Sequence, residues 1–316
     1  ILQSYSRGRE TLSSQTFSLT HTPLQKLESR LLDIAGVSLH IKREDLADSY
    51  IGGNKWRKLK YNLIRAREQN NCTLLTFGGA WSNHIYATAA AGKRFGFNTI
   101  GIIRGESHDQ LNPTLQFAQD HGMQLEYVDR ETYRNKSSAG LIKALHERYG
   151  DFYLLPEGGS NQLALKGCAE IVTDTDTPFD IITVASGTGA TLAGIATALN
   201  TDQHAIGFAV LKGADFLSRD VEKMLAESGQ SSIHNWHMEN GYHFGGYAKT
   251  RPELFAFIRQ FKSDFDIELD AVYTGKMFFG LFDLISKGTF ERGTCIIAVH
   301  TGGVQGNAGF PGLIFD

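Results

Sequence analysis

Short apolar runs alternate with amphipathic stretches along almost the whole chain, and this alternation most restricts what the chain can fold into. The runs at residues 37–41, 73–77, 99–103, 124–128, 181–185, 205–210 and 295–299 are strand-sized and mostly apolar, as expected of strands buried on both faces. Between them, helical periodicity covers residues 54–67, 83–94, 114–121, 137–148, 162–172, 190–199, 216–228 and 252–261. Such alternation predicts an α/β fold with open, twisted, parallel sheets and helices on both faces. Loop motifs cluster around 52–84 and again around 157–191, so the 316 residues are expected to form two domains.

Charge and cysteine usage exclude several functions. With 31 Lys and Arg against 34 Asp and Glu, the net charge of -3 supplies no basic field for a nucleic acid. Cys72, Cys168 and Cys295 are odd in number and far apart, which fits neither a disulfide framework nor a metal knuckle. His234 and His237 lack a nearby third ligand, so no metal site is expected. No 18-residue apolar stretch is present, and the polar start has no signal-peptide run. The expectation is a cytoplasmic protein with no membrane partner.

Glycine marks the places where chemistry is expected. The chain has 34 glycines and only 6 prolines, an excess of roughly a dozen glycines over ordinary usage. In Gly52-Gly53-Asn54-Lys55, a glycine turn leads to a helix whose first turn carries Lys55. The positive end of the helix dipole disfavours an ammonium there. A lysine with a depressed pKa suits Schiff-base chemistry, because only the free amine attacks a carbonyl; the alternative is a solvated surface lysine, like Lys58 and Lys60.

Two further loops are candidate anion sites. Gly78-Gly79-Ala80-Trp81-Ser82-Asn83-His84 runs from a strand into a helix, where a carboxylate or phosphate would be welcome; an ordinary loop capped by Ser82 or Asn83 is the other reading. Ser186-Gly187-Thr188-Gly189-Ala190-Thr191 alternates glycine with hydroxyl residues after a buried strand. It reads as a cup for one phosphate or as a tight turn without a ligand. Leu192 stands where a dinucleotide fingerprint requires glycine, and no Gly-Lys-Ser/Thr completes a Walker loop. Tyr247 and Tyr273 each lie beside a glycine turn, and Thr301 follows a strand at the end where α/β sheets gather ligands.

Taken in order, Gly-Gly-Asn-Lys at 52–55, Ser-Asn-His at 82–84, Pro-Glu-Gly-Gly-Ser at 156–160, Ser-Gly-Thr-Gly at 186–189, Tyr-Thr-Gly-Lys at 273–276 and His-Thr-Gly-Gly at 300–303 resemble one family. It is the pyridoxal-phosphate-dependent D-cysteine desulfhydrase and 1-aminocyclopropane-1-carboxylate deaminase family, which has the tryptophan synthase β-like fold. The resemblance implies a large cofactor domain (1–45 and 156–316), a small domain (46–155) and a homodimer. It implies that Lys55 holds pyridoxal 5'-phosphate, that Ser186 to Thr191 bind its phosphate, that Asn83 lies against its phenolic oxygen and that Thr301 faces its pyridine nitrogen. Lys55, Ser82, Tyr247 and Tyr273 would be catalytic. Trp81, Ser82, Asn83, His84, Tyr247, Tyr273 and Thr274 would meet a small amino-acid substrate.

Thr274 stands where the deaminase branch is expected to carry Glu, so the resemblance favours a D-cysteine desulfhydrase that releases pyruvate, ammonia and sulfide. The deaminase reaction, β-elimination from D-serine, L-cysteate or another β-substituted amino acid, and a non-catalytic phosphate-ligand-binding protein are the alternatives. Trp81 is expected to crowd the mouth of the site.

Overall fold

The computed structural model describes residue 17 and residues 21–107 and 109–313. Ten strands form two sheets: β1 (Leu24–Leu27), β2 (Ser38–Lys42), β3 (Thr73–Gly78), β4 (Asn98–Arg104), β5 (Met123–Val128), β6 (Tyr153–Leu155), β7 (Ile181–Ser186), β8 (His204–Ala209), β9 (Trp236–Glu239) and β10 (Cys295–Val299). The larger sheet has the order β1-β2-β10-β7-β8-β9, and the smaller has β5-β4-β3-β6. All pairings are parallel except β1 on β2. The smaller sheet is therefore an insertion in the chain between β2 and β7.

Side chains of the central strands divide with period two between the helical layers. Ile296 and Ala298 of β10 enter one core with Leu254, Ile258, Phe278 and Leu281. Ile297 and Val299 enter the opposite core with Leu165, Ile171, Leu192 and Val221. Both faces of the sheet are covered, which is why its central strands read as continuous apolar runs.

All seven expected strands are present within a residue or so at either end, and the three additional ones, β1, β6 and β9, all lie at sheet edges. An edge strand pairs on one side only and tolerates polar residues, so Leu-Gln-Lys-Leu and Trp-His-Met-Glu carry little strand signal. The helix expected at 190–199 ends at Ala196. Helices Arg30–Ala35 and Arg130–Arg134 were too short for periodicity to reveal. The larger correction concerns Tyr273-Thr274-Gly275-Lys276, read from sequence as a glycine turn. It opens the helix Thr274–Ser286, whose Met277, Phe278, Leu281 and Ile285 are buried. With Gly275 at its second position and Phe279 and Phe282 also apolar, its sequence reads as a glycine turn followed by an apolar run.

Helix Asn54–Glu68 sits where the two sheets' layers meet. It packs against helix Gln162–Thr173 so closely that a Cβ on Gly167 would lie 1.8 Å from the Arg57 carbonyl oxygen. From the same helix Arg57 donates to Glu44 Oε2 at 2.8 Å and Oε1 at 2.9 Å, in the turn after β2, and to Asp174 Oδ2 at 2.7 Å, at the end of helix Gln162–Thr173. Glu44 is fully buried and Arg57 nearly so.

Candidate active site

A cavity of about 1410 Å³ is lined from both sheets and from the helix between them. Its wall includes Lys55 and Lys58, the loop Gly79–His84, the loop Ala185–Gly189 with Thr191, and Tyr247, Tyr273 and Thr301. Parallel strands bring these together because each loop follows the carboxyl end of its strand: β3 leads to Gly79, β7 to Gly187 and β10 to Thr301.

Lys55 occupies the first turn of helix Asn54–Glu68. The turn before it is possible only with glycine: Gly53 has φ 74°, and a Cβ there would lie 1.9 Å from the Thr301 carbonyl oxygen. The start of the helix is thus pressed onto the loop after β10. Lys55 Nζ makes no hydrogen bond or ion pair among the described residues. Burial, reinforced by the neighbouring Lys58 ammonium, pushes its pKa down to about 7. Near neutral pH much of it is a free amine beside a cavity, as nucleophilic and basic chemistry requires.

Lys58 is the residue that the sequence reading missed. Taken there for a solvated lysine, it is 2% exposed and donates to Thr188 Oγ1 at 3.3 Å. Burial lowers its pKa also. Its signal was the spacing, since residues i and i+3 share one helical face and Lys55 already pointed to the site. The Ser186–Thr191 loop is held from outside: Ser160 Oγ meets Thr188 Oγ1 at 2.8 Å, and Asn54 Nδ2 donates to Thr191 Oγ1 at 2.9 Å. Ser186 Oγ is buried without a partner among the described residues. Gly189 precedes helix Ala190–Ala196, and no side chain caps that helix. Three hydroxyls, uncapped N–H groups and one ammonium converge, a donor set suited to a phosphate.

In the Gly79–His84 loop the cap that the sequence offered is present, and it is Ser82. Ser82 is the N-cap of helix Asn83–Phe95, and its Oγ accepts from the backbone N–H of His84 at 3.2 Å and Ile85 at 3.3 Å. The Ser82 hydroxyl proton is left to face outward as a donor. Asn83 Oδ1 accepts from Gln305 Nε2 at 3.0 Å, which ties this loop to the segment after β10. His84 is 1% exposed and turned toward Thr76, Nε2 to Oγ1 at 2.8 Å. Burial and the two lysines hold its pKa well below the usual value, so it is a neutral imidazole behind Lys55 and Lys58. Trp81 lies at the cavity rim, 40% exposed, near Gly309.

Tyr247 and Tyr273 meet at 6.1 Å between ring centroids, edge to face, and a Cβ on Gly187 would touch the Tyr273 ring at 3.0 Å. Thr274, expected at the substrate, does not line the cavity. It is fully buried, and its hydroxyl donates to Asp270 Oδ1 at 2.7 Å. Asp270 receives in addition the N–H groups of Val272, Tyr273 and Thr274. Thr274 helps to start the helix; its neighbour Tyr273 reaches the site.

The family described as pyridoxal-phosphate dependent enzyme matches residues 16–302. The "Putative 1-aminocyclopropane-1-carboxylate deaminase" of Pyrococcus horikoshii is 33% identical over 302 residues, 90% of each chain. The "Bifunctional D-cysteine desulfhydrase/1-aminocyclopropane-1-carboxylate deaminase, mitochondrial" of Arabidopsis thaliana is 32% identical over 93% of this chain and 80% of its own. Among solved structures, an "ACC deaminase homologue" superposes with a TM-score of 0.79 at 31% identity and covers 91% of each chain.

Proposed function

This chain belongs to the family of pyridoxal-phosphate dependent enzymes, and we propose that it is a lyase that eliminates sulfide from D-cysteine. The observation that carries the cofactor chemistry is a free Lys55 amine with pKa about 7 in the same cavity as a cup of hydroxyls that includes the unpartnered Ser186 Oγ; D-cysteine as substrate follows the relative named as a D-cysteine desulfhydrase. These residues fit the cofactor: Lys55 would hold it covalently, Lys58 and the Ser186–Thr191 loop its phosphate, Asn83 and Thr301 its ring. When bound, pyridoxal phosphate supplies an electron sink for charge at the substrate α-carbon.

With the cofactor bound, Lys55 would be the base for the α-proton. The Ser82 hydroxyl and the first turn of helix Asn83–Phe95 are placed to receive the substrate carboxylate. Tyr247 and Tyr273 flank the Cβ substituent. Breaking the Cβ–S bond sends its electron pair out with sulfide; with one water consumed, the products are pyruvate, ammonia and sulfide. Thr301 is neutral, so no carboxylate would hold a proton on the ring nitrogen, which suits a reaction relieved quickly by a leaving group. The division into a small domain of residues 46–155 inserted in a larger one belongs to the same proposal, supported by the separate sheets, and places the substrate loop on one unit and the phosphate loop on the other.

A second reading has its own observation. Arg104 ends β4 with its Nη2 3.6 Å from where a Cβ on Gly79 would stand, in the loop that leads to Ser82. It makes no ion pair among the described residues. A guanidinium there suits an anionic Cβ substituent such as the sulfonate of L-cysteate. A screen of D- and L-cysteine, D-serine, L-cysteate and 1-aminocyclopropane-1-carboxylate for ketoacid, ammonia, sulfide and sulfite separates these. Pyruvate and sulfide from D-cysteine support the first reading, and turnover of another substrate alone overturns it. Sulfite from L-cysteate, lost in Arg104→Met, would establish the second.

A further inference from the structure

Lys276 lies in the first turn of helix Thr274–Ser286 and is 1% exposed. Its Nζ donates to the carbonyl oxygens of His243 at 3.0 Å and Gly246 at 2.8 Å. It makes no ion pair among the described residues. Burying an ammonium against carbonyls alone costs stability, and Met or Leu would fill the same space more cheaply. Helix packing therefore gives no reason for a lysine here.

The two carbonyls belong to a turn with unusual backbone. Phe244 and Ala248 have φ 53°, and Gly245 and Gly246 have φ 103° and 125°. Left-handed conformations at two non-glycine residues are strained and persist only where surrounding structure enforces them. Backbone bonds supply part of that, from Gly246 N to His243 O and from Lys249 N to Gly246 O. The ammonium grips the same two acceptors from the helix side. The turn carries Tyr247, which is 43% exposed and so gains little fixation from packing. Tyr273, its edge-to-face partner, is the N-cap of the helix that carries Lys276.

We propose that Lys276 is a positioning residue: by holding the His243 and Gly246 carbonyls it keeps Tyr247 over the cavity, facing Tyr273, where the substrate is bound. One helix start then sets both tyrosines, Tyr273 directly and Tyr247 through the lysine. The inference rests on the reading of Tyr247 as a residue that faces substrate, and the test separates the two.

The experiment is a double-mutant cycle on the holoenzyme with Lys276→Met and Tyr247→Phe, measured on D-cysteine or on whichever substrate the screen turns over. Lys276→Met keeps the length of the stem and removes the donors. Its kcat/KM is expected to fall at least tenfold, with the cofactor absorbance band and cofactor affinity within twofold of the parent. Because both changes act on one element, the double variant is expected to be no worse than the poorer single variant. Multiplying effects, an unaltered Lys276→Met enzyme, or cofactor affinity falling in parallel overturns the proposal. A Tyr247→Phe enzyme with parental kinetics overturns instead the reading beneath it, and the proposal with it. Gly245→Ala disturbs the same turn from its exposed side, since alanine resists φ 103°. It is expected to give the same kinetic signature without altering the helix, so loss of folding in Lys276→Met does not protect the proposal from refutation.

Discussion

The depressed pKa of Lys55 can be read directly, without turnover. An ordinary lysine with pKa about 10.4 is neutral in roughly one molecule in 2,500 at pH 7. With its pKa pushed down to about 7, Lys55 is neutral in about half of molecules. Its reactivity toward a small carbonyl at pH 7 is then raised about a thousandfold by the available fraction of amine alone. The cause is first burial and then Lys58, and the two can be separated. The assay is competitive reductive methylation of the cofactor-free protein with formaldehyde between pH 5 and 10, read peptide by peptide in a mass spectrometer. Lys55 is expected to show half-maximal labelling near pH 7. In Lys58→Met a positive neighbour is gone, the ammonium form is favoured, and the half-point moves to higher pH. A Lys55 half-point within about one unit of 10.4 refutes the reasoning, because a burial-driven shift of this size cannot then operate. A half-point near 7 that is unmoved by Lys58→Met leaves burial as the whole cause and refutes the assigned charge coupling.

Two changes test the frame around that lysine. Arg57→Met leaves the fully buried Glu44 carboxylate without its main partner, which costs about 3–5 kcal/mol. At roughly 1.5 °C per kcal/mol for a chain of this size, a melting scan should show a fall of about 4–8 °C, much of it recovered in Arg57→Met/Glu44→Gln; no change in Tm refutes the pair's role. Thr274→Val removes one of the donors on Asp270 and is expected to lower stability by about 1–3 kcal/mol in urea unfolding, while the ratio of kcat/KM values between substrates of the screen stays within twofold. A change in substrate preference would return Thr274 to the substrate.

The sequence carried the frame and the loops because both depend on local pattern. Interior strands such as β7 and β10 are apolar on both faces, and the glycine-hydroxyl run at 186–191 is unusual wherever it occurs. What was not legible depends on partners far away in the chain. Lys58 looks like a surface residue until Thr188, 130 positions later, folds over it. Thr274 looks like a ligand-facing hydroxyl until Asp270 is seen to take it. Helix Thr274–Ser286 hides because Gly275 beside its start reads as a turn, β1 and β9 hide because edge strands tolerate polar residues, and β6 hides because it is only three residues long.

The positions of Lys55 and Lys58 explain why the site tolerates two ammonium groups in one turn of helix. Their mutual repulsion and burial are losses to the folded protein, and on this helix no carboxylate in the first turn offsets them. The offset comes from elsewhere on the same helix: Arg57 binds Glu44 and Asp174, and Lys60 binds Glu170 at 2.8 Å. Arg57 and Lys60 thus face acids outside the helix, while Lys55 and Lys58, on its other side, face the cavity. A helix that spent its acids on Lys55 would have a stable ammonium and no nucleophile. By pairing the cations that do not line the cavity, the fold fixes the helix firmly enough to keep the remaining two short of counter-charge, one with its amine free and the other ready for an anion.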